Sequence, residues 1–243
     1  MVKLKIQRLD PVQDKAARTE EYDVPYSKGM RVITALQYIQ QNHDGTLAFR
    51  WNCRAGECGS CAMEVNGKPV LACKTEIKPD APTLSLAPLK VFPVVKDFVV
   101  DRSEVDRQLE RLTPYLVKGS DKSASDSPVY DEDVQRTIEM RKCIDCLICH
   151  DSCHVIREGL NYTGPRNIVQ AMAWDYHPKD KGGRALLLGR EGIDYCNVSR
   201  CCTNNCPQGI KITQNAIIPV KERIQSENSV VGKAVRKLFQ IGQ

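Results

Sequence analysis

The residues best suited to chemistry in this chain are its twelve cysteines, which fall in three groups of four. Cys53, Cys58, Cys61 and Cys73 read C-x4-C-x2-C with a distant fourth, the spacing that holds a plant-type 2Fe-2S cluster. Cys143, Cys146, Cys149 and Cys153 read C-x2-C-x2-C-x3-C, the run in which three thiolates serve one 4Fe-4S cluster and the fourth serves a second cluster. The third group returns that pattern, since Cys196, Cys202, Cys206 and Pro207 fall on the same template while Ser199 stands at its second cysteine position. Crossing the two runs assigns Cys143, Cys146, Cys149 and Cys206 to a 4Fe-4S cluster. Cys153, Cys196 and Cys202 remain for the other, and three ligands suit a 3Fe-4S cluster. Cys201 is left without a role, unless its thiol replaces the missing ligand and holds a fourth iron.

Zinc and disulfides are the ordinary uses of so many cysteines. Structural zinc sites pair two C-x2-C units, whereas an uninterrupted C-x2-C-x2-C-x3-C wraps four thiolates around a compact cubane. Disulfides need an oxidising compartment, and the opening MVKLKIQRLD lacks the apolar run of a secretory signal, so reduced thiols are expected. A formal charge of +5 comes from well-mixed basic and acidic residues, and only 6% of the chain is aromatic. That pattern suits a solvated exterior, and no nucleic-acid partner is expected.

These groups need two kinds of scaffold. At 243 residues and 42% hydrophobic content the chain can bury two modest cores, and no stretch approaches the roughly 20 apolar residues of a membrane-spanning helix. Alternation at Val2, Leu4 and Ile6 predicts a strand, and Val32, Ala35, Leu36 and Ile39 a helix. Ala62 to Val65 and Val70 to Ala72 flank Asn66-Gly67, a hairpin signal that brings Cys73 back beside Cys61. Glycines at 56 and 59 let backbone N–H groups approach the first sulfurs. Residues 1–100 are therefore expected to form a β-grasp, plant-type 2Fe-2S ferredoxin domain. A charged helix is expected from Ser103 to Leu116, an exposed loop from Gly119 to Pro128, and helices from Asp131 to Met140 and from Pro165 to Tyr176. Residues 101–243 then read as an all-α, bacterial-ferredoxin-like domain, and the class of the whole is α+β. Apolar residues at 230, 231, 234, 235 and 238 predict a final amphipathic helix.

Taken together, CRAGECGSC from Cys53 to Cys61, FPVVKDFVVDRS from Phe92 to Ser103, Gly164-Pro165 and the two later cysteine runs resemble the iron-sulfur subunit of succinate dehydrogenase and fumarate reductase. The resemblance extends over nearly the whole chain. It implies a flavoprotein partner whose FAD oxidises succinate, entry of electrons at the 2Fe-2S cluster, and exit from the 3Fe-4S cluster to a quinone beside membrane anchor subunits at the cytoplasmic face of the cell membrane. The same subunit in a fumarate reductase, or in another flavoenzyme, is the alternative. This chain is expected to bind neither succinate nor FAD, since no paired carboxylates, dinucleotide fingerprint or nucleophile-base pair stands out. His150 and His154 adjoin cluster ligands and are read chiefly as polar neighbours. The departures from the family pattern lie at the quinone end: His154-Val155-Ile156-Arg157 follows Cys153 where proline, serine and tryptophan are usual, and Asn197 stands where histidine often does. They predict a rebuilt quinone pocket around His154 or Trp174.

Overall fold

The computed structural model describes residues 1–80, 83–119 and 128–228. Its first part is a five-stranded mixed sheet of β1 (Val2–Arg8), β2 (Arg18–Val24), β3 (Ala62–Val65), β4 (Lys68–Leu71) and β5 (Leu84–Ala87), in the order β2-β1-β5-β3-β4. β1 runs parallel to β5, and the other neighbours are antiparallel. Strict alternation in β1 turns Val2, Leu4 and Ile6 inward, because successive strand side chains point to opposite faces. Helix α1 (Val32–Asn42) covers that face with Val32, Ile33, Ala35, Leu36 and Ile39. The β3–β4 hairpin turns at Asn66 and Gly67, whose φ angles of 51° and 73° are those a two-residue type I′ turn requires. A separate hairpin, β6 (Val94–Lys96) and β7 (Val99–Val100), then leads into the second part.

That second part is helical: α2 (Ser103–Glu110), α3 (Asp131–Arg141), α4 (Ile148–Asp151), α5 (His154–Arg157), α6 (Pro165–Asp175), α7 (Arg184–Arg190), α8 (Cys201–Asn204) and α9 (Ile218–Asn228). Helix α2 stops well short of Leu116. Thr113 takes φ 48° ahead of Pro114, and a residue before proline is pushed out of the helical region. Tyr130 rather than Asp131 precedes α3, and its backbone N–H donates to the Asp133 carboxylate at 3.2 Å. Helix α6 opens with Pro165 at its first position, where a missing N–H costs nothing. Most of the expected loop from Gly119 to Pro128 and the whole tail helix lie outside the described residues.

One apolar core fills the sheet and α1, and a second fills the helical part. They are not independent, because Ile148 of α4 belongs to the first core, and Leu147 joins Leu89, Phe92, Val100 and Val105 in a small core at the junction. A polar seam crosses the same junction. Glu64 of β3 is buried and meets Arg157 at 2.8 Å and Lys90 at 2.9 Å, while Arg157 also meets buried Asp151 at 3.1 Å. Burial and the nearby Glu64 raise the Asp151 carboxyl to about 6.

Candidate iron-sulfur centres

None of the twelve cysteines is joined in a disulfide. Cys53 is exposed at the head of a loop in which the backbone N–H groups of Ala55 and Glu57 both donate to its sulfur at 3.4 Å. Those two donors draw its pKa down to about 6. Cys58 Sγ lies 3.0 Å from Ser60 Oγ. Cys61 and Cys73 are buried, brought together by the β3–β4 hairpin, and the Ala72 N–H donates to the Cys61 carbonyl at 3.1 Å. Burial pushes the Cys61 thiol up to about 12.

Gly59 has a purpose beyond approach to sulfur. A Cβ there would stand 2.3 Å from the carbonyl oxygen of Ile144 and 3.0 Å from Cys146 Cα, at φ +69°. The loop of the first cysteine group therefore rests backbone on backbone against the second. Close by, Gln208 Nε2 donates to the Gly56 carbonyl at 2.9 Å.

Cys143, Cys146, Cys149 and Cys206 line one cavity, walled also by Leu147, Val169, Ile210 and Ile212 and by the polar side chains of Arg166 and Gln208. Burial raises the Cys146 thiol to about 12, and burial with the neighbouring thiols raises Cys149 well above its ordinary value. Four thiols converging in one buried cavity suit metal coordination, which deprotonates the ligating thiol. Positive φ at Asp145 (59°) and Leu147 (63°) winds the run tightly, and Arg102 and Arg166 clamp the Asp145 carboxylate from outside.

The third group repeats that backbone. Val198 (φ 61°) and Arg200 (φ 63°) occupy the template positions of Asp145 and Leu147, and α8 corresponds to α4. Ser199 thus stands where the second run has Cys146, and Cys201 where it has Ile148. Cys201 nevertheless faces the group: its sulfur lies 3.7 Å from Ser199 Oγ and 3.9 Å from His154 Nδ1. It also meets the thiols of Cys153 and Cys202, whose pKa values rise while that of Cys201 falls. Cys202 Sγ lies 3.5 Å from Thr213 Oγ1. Lys221 fastens the turn that carries Cys196, donating to the carbonyls of Cys196 at 2.7 Å, Ile193 at 3.3 Å and Asp194 at 3.4 Å. No local sequence signal marks Lys221, which acts from α9 across the fold.

Tyr162 supplies a direct test of what these thiols hold. Its hydroxyl is buried with no hydrogen bond of normal geometry, in one core with Cys153, Cys196 and Cys202 and facing Cys196 first. A stranded buried hydroxyl costs about 1–3 kcal/mol, and acceptor sulfurs in the space between those cysteines would satisfy it. Among the described residues no group of three or more Cys, His, Asp or Glu is placed to hold a single metal ion.

His150 is a structural prop rather than a ligand. It is buried, accepts the Arg166 N–H at Nδ1 (3.3 Å), and lies with Nε2 3.2 Å from the Thr163 carbonyl, so Nε2 carries the hydrogen. Burial and the nearby Arg166 lower its pKa to about 3. His154 stands with Cys201 and Ser199, whereas Trp174 of α6 lines a recess of about 520 Å³ beside Cys143 with Met140, Arg141 and Gln170.

Residues 3–107 match the family described as a 2Fe-2S iron-sulfur cluster binding domain, and residues 139–210 match a 4Fe-4S dicluster domain. The chain is 34% identical over 238 residues to one subunit of the CoM/CoB fumarate reductase of Methanothermobacter marburgensis, covering 98% of itself but only 47% of that longer protein. It is 31% identical to the fumarate reductase iron-sulfur subunit of Mycobacterium tuberculosis, covering 85% of itself and 86% of the relative. Among solved structures it superposes on a chain of the Mycobacterium smegmatis Sdh1 complex in the apo form with TM-score 0.85 and 36% identity, covering 93% of this chain and 96% of that one. Three thiol groups in that order, on a mixed sheet followed by helices, and mycobacterial relatives matched along most of their length place this chain in the family of succinate dehydrogenase and fumarate reductase iron-sulfur subunits.

Proposed function

We propose that this chain carries electrons between a flavoprotein subunit and a quinone in a membrane-associated succinate:quinone oxidoreductase. The reading rests chiefly on one observation: the three thiol groups form a continuous row. The first touches the second through Gly59, and the second adjoins the third, with Cys149 of one near Cys202 of the other.

Residues 1–100 form the β-grasp, plant-type ferredoxin domain, and residues 101–243 the bacterial-ferredoxin-like domain. Cys53, Cys58, Cys61 and Cys73 hold a 2Fe-2S cluster. Cys143, Cys146, Cys149 and Cys206 hold a 4Fe-4S cluster, and Cys153, Cys196 and Cys202 hold a 3Fe-4S cluster, because a serine occupies the position of its fourth thiolate. When bound, such clusters supply one-electron carriers whose potentials follow cluster type, net charge, hydrogen bonds to sulfur and exposure. The protein sets the last two of these. Exposed Cys53 lies at the surface a donor must reach, and the N–H groups of Ala55 and Glu57 stabilise negative charge on its sulfur. Leu147, Val169, Ile210 and Ile212 keep water from the middle group. At the far end, His154 and Ser199 stand beside Cys201 of the third group, and we place the quinone near them.

The partners are then a flavoprotein with FAD on the Cys53 side and membrane anchor subunits on the His154 side, at the cytoplasmic face of the membrane. No helix among the described residues is long and apolar enough to cross a membrane. We assign the oxidative direction, succinate to quinone; the reverse serves fumarate reduction. Anaerobic purification of the complex, with iron and acid-labile sulfide measured and electron paramagnetic resonance (EPR) recorded oxidised and reduced, tests the reading. Three distinct centres and a co-purifying flavin are expected. A colourless chain without sulfide would overturn it.

A further inference from the structure

The third thiol group has one buried donor that its ligand set does not explain. Tyr162 is 4% exposed and packs in one core with Cys153, Cys196 and Cys202; its hydroxyl makes no hydrogen bond of normal geometry, and Cys196 is the polar side chain it faces first. Its position is not accidental slack. The Thr163 N–H donates to the Glu191 carbonyl at 2.9 Å, and a Cβ on Gly192 would strike the Asn161 carbonyl oxygen at 2.1 Å. Both contacts tie segment 161–163 to the turn that ends at Cys196, so the ring and the cysteine are held together.

We propose that Tyr162 is a positioning and tuning residue of the third centre, donating its hydroxyl hydrogen bond to a sulfur held among Cys153, Cys196 and Cys202 and thereby raising the potential of that centre. The inference rests on the assignment of a cluster to those three cysteines. A donor to sulfur stabilises the form carrying more negative charge, which is the reduced one, so it favours reduction. In the relay this makes the quinone end a better electron sink without altering any ligand.

The test is an EPR-monitored redox titration of the anaerobic intact complex. Tyr162→Phe keeps the ring and removes the donor. It is expected to disfavour reduction of the third centre about tenfold, equivalent to about 59 mV for a one-electron couple, with the other two centres unmoved. Fluorotyrosine at position 162 keeps the hydroxyl and strengthens it as a donor, so the potential is expected to move the opposite way, which a purely packing role would not produce. If Tyr162→Phe cannot retain the cluster, the fluorotyrosine protein decides alone. Potentials matching the parent in every protein that holds the centre would overturn the inference and leave the relay standing; absence of any third centre from the parent complex would overturn both.

Discussion

Arg8 is the last residue of β1 and follows its inward alternation, so a guanidinium only 2% exposed sits where an apolar side chain would be expected. Its Nε donates to Asp97 Oδ1 at 2.9 Å, and Nη1 to Glu20 at 2.9 Å and to the Tyr22 hydroxyl at 3.1 Å. Nη1 also reaches Asp44, and Nη2 reaches Thr46 Oγ1 at 3.2 Å. Asp97, itself buried, takes the N–H groups of Leu9 at 3.1 Å and Ala48 at 2.9 Å. One cation thus gathers β1, β2, the β6–β7 hairpin and the segment that runs on to Cys53. Replacing Arg8 by methionine leaves Asp97 buried and charged with only its two backbone donors. Breaking a buried pair costs about 3–5 kcal/mol; the surviving donors and the apolar volume of methionine place the expected loss at the lower end, about 3 kcal/mol. Against a typical stability of about 5–15 kcal/mol that is large. Anaerobic urea unfolding of the cluster-loaded protein, followed by visible circular dichroism, measures it. The Thr46 hydroxyl and the Arg8 guanidinium hold Asp44 well below the usual carboxylate range. Its folded pKa is depressed, so its contribution is complete above the unfolded value near 3.8 and is lost only as pH falls below that. The deficit should therefore be flat between about pH 6 and 8. A loss under about 1 kcal/mol, the range of exposed pairs, would refute the reasoning.

Three other substitutions probe the centres. Gly59→Ala forces a Cβ to within 2.3 Å of the Ile144 carbonyl at φ +69° and should destabilise the protein by about 1–3 kcal/mol, with weaker magnetic interaction between the first two centres in EPR. Gly164→Ala drives a methyl to 2.2 Å from His150 Nε2; overpacking of about 1–3 kcal/mol and displacement of the imidazole from Thr163 should appear in thermal unfolding. Cys201→Ala should leave the EPR signal of the oxidised third centre unchanged, because Ser199 and not Cys201 holds the template position; a four-iron centre in the parent that becomes three-iron in the variant would assign Cys201 as a ligand.

Local and distant information divided cleanly between sequence and structure. Cysteine spacing is local, so three groups and the serine at the fourth corner could be read directly, and the repeated positive φ at Asp145/Leu147 and Val198/Arg200 is the same periodicity expressed in the backbone. The Asn66-Gly67 hairpin and the Pro165 helix start are local as well. The stop of α2 was legible too, in Thr113-Pro114, where the apolar pattern alone carries the helix too far. What lay outside the sequence is everything that depends on partners far along the chain. The alternation of β1 points Arg8 inward but says nothing of Asp97, 89 positions on; Glu64 and Arg157, 93 apart, are equally silent. Tyr162 and Lys221 matter because the fold brings a hydroxyl and an ammonium to the turn of Cys196, so residues that tune a centre are found by asking which buried donors the ligand motif leaves unexplained.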